Sequence, residues 1–142
     1  MRYVPLLVVP LLLYNAFAFL IFGGSYDSDF REAYMFRLPM PSGAAFELTV
    51  ATTIVILALL LLGVELVKAA RIGAGSIVDH ALATVLLLVF VVEFLLVEQA
   101  ATGTFLILTT IALVDLICGF AVSIRTASCD ITVATPAPMP EP

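Results

Sequence analysis

An all-α membrane protein, with four transmembrane helices in an up-down bundle, is the fold class this sequence predicts. Three observations lead there. The 142 residues are 63% hydrophobic and only 12% charged, against roughly 45–50% and about 25% in soluble domains. Mean hydropathy is +1.19, more apolar surface than a water-soluble fold of this size can hide. The apolar residues also fall into four blocks, each near the 20 or so residues needed to cross a bilayer. Nothing in the chain alternates with period two, so the spanning elements are expected to be helices rather than barrel strands.

The first span is expected over residues 3–22, closed by Gly23-Gly24 in a left-handed cap. Pro5 and Pro10, ahead of Tyr14-Asn15, predict a helix bent or softened in its first half. Arg2, the apolar run and Ala16-Phe17-Ala18 superficially match a signal peptide with its cleavage site. The run continues to full spanning length, however, and cleavage there would expose Phe19-Leu20-Ile21-Phe22; a retained span is the expectation.

Residues 23–43 form the one sizeable loop. Ser28 or Asp29 is placed to cap a short interfacial helix with Phe30 and Tyr34 on one face, and Pro39 and Pro41 end it. Aromatics of this kind settle where membrane meets water; a lid over a ligand is the weaker reading.

The second span is expected over residues 45–67. Lys68 and Arg71 follow in the last turn, where cations suit the helix dipole, and Gly73-Ala74-Gly75 stops it. Ser76-Ile77-Val78-Asp79 reads as a capping box opening the third span, residues 78–100. The fourth covers 104–124. Ala101-Thr102-Gly103 leaves room only for a tight turn, so the third and fourth helices are expected to form an antiparallel hairpin. Residues 1–125 thus make one transmembrane domain, and 126–142, ending Pro136-Ala137-Pro138-Met139-Pro140-Glu141-Pro142, a proline-rich disordered tail. Arg2, Lys68, Arg71 and Arg125 lie on one side against Arg31 and Arg37 on the other. The positive-inside rule then puts both termini in the cytoplasm, and a bacterial inner membrane is the expected home.

Composition excludes several functions. Six scattered basic residues in a chain of net charge −5 give no footprint for nucleic acid. Cys118 and Cys129 have neither disulfide context nor metal-ligand spacing. His80 is the only histidine, too few for the paired axial ligands of a haem-binding bundle. It reads as a solvated residue in the first turn of the third helix. There is no nucleophile–base pair and no phosphate loop. No cofactor, metal or enzymatic activity is expected.

Glu93 and Asp115 stand out, because a carboxylate at the bilayer centre costs about 2.5–3.5 kcal/mol on insertion scales. On the spans above, Glu93 lies about 10 Å and Asp115 about 16 Å from the outer end of the hairpin. A level difference of about 6 Å would let their side chains approach. Asn15, Tyr14, Thr84, Thr109 and Thr110 are the polar groups at similar depth, and none supplies a positive charge. Ala112, Asp115 and Gly119 share one face of the fourth helix, a small-residue surface suited to close helix packing.

Three readings follow for the acids. They are protonated and hydrogen-bonded between helices, they hold a proton or cation between them, or they meet a group from another subunit. The expected function is a subunit or accessory factor of a larger membrane assembly, embedded in the lipid bilayer, with Glu93, Asp115, Asn15, Ala112 and Gly119 as candidate contacts. The alternative is a homo-oligomeric proton- or cation-coupled transporter or channel with Glu93 and Asp115 as its relay.

Overall fold

The computed structural model describes residues 5–21, 33–72 and 77–133. Most of these are helical: α1 (Val8–Asn15), α2 (Val50–Ile72), α3 (Ile77–Leu96) and α4 (Gly103–Val133), joined by a two-stranded hairpin, β1 (Tyr34–Pro39) and β2 (Ala45–Thr49). α4 packs against both α2 and α3, and α1 against α2. Among the described residues, two helices are long and apolar enough to cross a membrane, over Val50–Ala69 and Gly103–Val122.

Pro10 sits in the first turn of α1, where a missing N–H costs nothing because that turn has no intrahelical acceptor anyway. Pro5 precedes the helix, which starts at Val8 rather than at residue 3. The helix departs from α geometry later, widening into a π-type segment over Ala16–Ile21, directly after Asn15.

The first loop corrects a second expectation. Its described part is strand, not interfacial helix: Tyr34–Pro39 pairs antiparallel with Ala45–Thr49, with Arg37 opposite Glu47 and Leu38 opposite Phe46. The period-two signal is present after all, in Phe36-Arg37-Leu38 and Phe46-Glu47-Leu48, though each run is only three residues long. Pro41 does not end a helix. The Met40 carbonyl accepts from the Gly43 amide at 2.9 Å, and the Met40 amide donates to Ala44 at 2.8 Å. Gly43 at φ 84° supplies the left-handed residue that closes such a three-residue loop. Phe30 and the expected caps Ser28 and Asp29 lie outside the described residues, as do Gly23-Gly24, Gly73-Ala74-Gly75, Ser76 and residues 134–142.

The second helix consequently starts at Val50 rather than at residue 45. Thr49 caps it, its hydroxyl accepting the Thr52 amide at 3.2 Å. The third ends at Leu96, not at residue 100: Val97 turns extended, a 3₁₀ turn covers Glu98–Ala100, and Thr102 caps α4 by accepting the Phe105 amide at 3.2 Å. α4 then runs to Val133, taking in the first residues of the segment expected to be tail. Threonines inside the helices bond back to their own backbones: Thr53, Thr84, Thr109 and Thr110 each reach the carbonyl four residues earlier, at 2.8–2.9 Å.

The core is tightest where α1 meets the α3–α4 turn. Tyr14, Phe90 and Phe105 are fully buried. The Tyr14 ring meets Phe105 edge-on at 4.9 Å, and Phe90 lies 5.5 Å from Phe105. The Tyr14 hydroxyl donates to the Gln99 carbonyl at 2.9 Å. Its one proton is thereby committed, so at 2.8 Å the Thr102 hydroxyl is the donor to the phenol oxygen. One side chain of α1 thus clamps the loop that turns α3 into α4.

Candidate functional site

The shortened α3 moves the two acids apart. Glu93 is three residues from its end, about 5 Å along the axis, while Asp115 is twelve residues into α4, about 18 Å. Their levels differ by about 13 Å rather than 6 Å. The two carboxylates therefore sit in separate surroundings, and each has to be built up on its own.

Asp115 lies on the buried face of α4, 8% exposed, with Ala112 one turn before it at 4%. His80 on α3 and Lys68 on α2 both lie close enough to act electrostatically on its carboxylate. Both approach it from near helix ends. Lys68 comes from the last turns of α2, where a long stem keeps an ammonium head near water. The imidazole of His80 is not a solvated cap. It stacks on Phe120 at 5.0 Å and lies over Gly119, where an added Cβ would stand 3.1 Å from Cε1 and 3.2 Å from Nδ1. Gly119 is the notch in α4 that admits the ring. The small-residue face of Ala112, Asp115 and Gly119 is accordingly turned into the chain, with His80 of α3 seated on Gly119.

Glu93 is arranged differently. It faces the first helix, and Asn15 lines the same groove close to its carboxylate. Asn15 donates to the Leu11 carbonyl at 3.2 Å, which fixes the amide against its own helix. Oε1 of Glu93 is buried and has no hydrogen-bond partner. That is a costly state for a carboxylate oxygen. The residue lines an open groove of about 550 Å³ between the first helix and α3, whose walls include Phe19, Val89, Val92 and Leu96. Asn15 and Phe19 reach it from either side of the point where α1 widens, a kind of irregularity that occurs frequently at functional sites.

The chain matches no family model, no curated protein and no solved structure. Its chemistry therefore has to be judged from the two sites themselves. No group of three or more potential metal ligands occurs among the described residues. The sequence pointed to Glu93, Asp115, Asn15, Ala112 and Gly119. The structure joins Glu93 with Asn15, and Ala112, Asp115 and Gly119 with one another, as two separate sets. Lys68, His80 and Phe120 were missed as members of the second set. The signal available for Lys68 and His80 was their position at adjoining ends of α2 and α3, which a helical hairpin must bring to the same end as Gly119.

Proposed function

We propose that this chain is a small multi-pass protein of a bacterial inner membrane, with four spans and both termini cytoplasmic, acting as a non-catalytic subunit or accessory factor of a larger membrane assembly. The membrane placement is supported by how the two longest apolar helices are exposed. Only 28% of the Val50–Ala69 window and 22% of the Gly103–Val122 window is buried inside the chain, whereas a helix so apolar in a water-soluble protein is a core helix. Side chains such as Leu60 at 64% and Ile117 at 58% exposed need an apolar solvent around them.

The observation that carries the assembly reading is the unpartnered Oε1 of Glu93 in its apolar groove. Asp115 lies near His80 and Lys68 of its own chain, while Glu93 keeps a buried acceptor unserved beside an open groove. A neighbouring transmembrane helix carrying a hydroxyl, amide or cationic donor fits both features: it fills the groove and satisfies the oxygen. The separation of about 13 Å between the acids gives no support to direct hand-over of a proton from one to the other.

The test is native sizing after mild detergent extraction at natural abundance, with two differently tagged copies to reveal self-association. The chain is expected in a particle larger than one chain plus its micelle. Glu93→Leu, which suits the apolar groove, is expected to release it as a monomer of unchanged helicity. A wild-type particle of one chain plus micelle would sink the proposal.

A further inference from the structure

The β1–β2 hairpin has two unlike faces. Strand register puts Phe36 opposite Leu48 and Leu38 opposite Phe46, so these four apolar side chains share one face. The contact of the Phe36 and Phe46 rings at 6.4 Å agrees. Arg37 and Glu47 pair on the other face at 2.9 Å. On the apolar face Phe36 is 47%, Leu38 49% and Phe46 43% exposed, with Leu48 half-buried, so the described helices leave most of it uncovered.

A lone two-stranded hairpin is at best marginal in water, and an open apolar face makes this one worse placed there. The hydrocarbon core is equally unsuitable, because a two-stranded sheet has two outer edges of unpaired N–H and C=O groups. One medium satisfies both constraints: the boundary where lipid headgroups meet acyl chains, with the apolar face down and the ion pair and edges in the hydrated layer. The hairpin's attachment puts it at that level. β2 ends at Thr49 and α2 begins at Val50, the first residue of a candidate span, with no connecting loop.

We infer that the β1–β2 hairpin is an interfacial lipid-binding element, laying the Phe36–Leu38–Phe46–Leu48 face on the acyl-chain boundary at the outer end of α2. It rests on the membrane reading above and adds a surface that reading does not require. The occupant is lipid itself rather than a protein partner.

The chain has no tryptophan, so single substitutions give clean fluorescence reporters in vesicles of phosphatidylcholine carrying bromines at defined acyl positions. Phe46→Trp and Phe36→Trp are expected to show blue-shifted emission and to lose most of it to bromines near the glycerol end of the chains. Ala45→Trp, on the ion-pair face, should emit further to the red and be quenched little. Leu60→Trp, midway along α2, is expected to be quenched by bromines placed deep. Red-shifted, unquenched emission from the two phenylalanine positions would overturn the inference, as would blue-shifted but unquenched emission, which marks a protein cover. Failure at Leu60 as well would instead remove the membrane reading on which the inference rests.

Discussion

Tyr14→Ala is expected to be the most damaging single substitution in this chain, lowering stability by about 3–5 kcal/mol. The ring is fully buried against Phe105, and the space it leaves cannot collapse without moving α1 relative to α4. The hydroxyl adds a second, separable contribution. Tyr14→Phe keeps the ring but removes its hydrogen bonds with the Gln99 carbonyl and the Thr102 hydroxyl, and is expected to cost about 1–2 kcal/mol. Thermal unfolding in a single detergent, followed by circular dichroism, measures both. Equal loss in the two variants would mean that the ring contributes nothing by packing.

Gly119→Leu is expected to destabilise the chain by about 1–3 kcal/mol, because the notch that admits His80 is filled and the imidazole must leave its stack on Phe120. Gly119→Ala is the informative companion. Alanine gains up to about 1 kcal/mol of helix propensity over glycine, while its Cβ meets the ring at 3.1 Å, a contact that needs a shift of a few tenths of an ångström. The two effects oppose each other, and a near-neutral outcome is expected. If leucine were tolerated as well as alanine in the same unfolding assay, the seating of α3 on this face of α4 would be wrong.

The helices were legible in the sequence, and their ends were not. Runs such as Val50 to Leu62 include β-branched residues that favour strands, but their unbroken apolar length exceeds that of a strand and leaves a buried or lipid-facing helix. The strands were hidden because Phe36-Arg37-Leu38 and Phe46-Glu47-Leu48 are each shorter than a turn of helix, and Ala45 to Thr49 abuts an apolar run that absorbs it. Pro41 and Gly43 carried the turn signal, but a proline near a helix end looks the same as a proline opening a turn. The end of α3 at Leu96 has no breaker to mark it. Glu98 and Gln99 are good helix formers, and it is Tyr14, distant in sequence, that holds the Gln99 carbonyl and the Thr102 hydroxyl in the turn. The sites followed the same pattern. Glu93 and Asp115 were visible as acids in apolar blocks, whereas the convergence of Lys68 and His80 on Asp115 depends on which faces of three helices meet.

The early end of α3 has a thermodynamic consequence. Groups whose surroundings do not overlap contribute independently, and sites more than about 7–10 Å apart with no shared partner add to within about 0.3–0.5 kcal/mol. Glu93 and Asp115 differ in level by more than that distance and lean on different neighbours, Asn15 for one and Lys68 with His80 for the other. In a double-mutant cycle, Glu93→Gln and Asp115→Asn are therefore expected to sum in their effects on unfolding, with a coupling energy near zero. The two acids that first looked like a pair then behave as two unrelated investments of the same residue chemistry, one closed within the fold and one left open at its side.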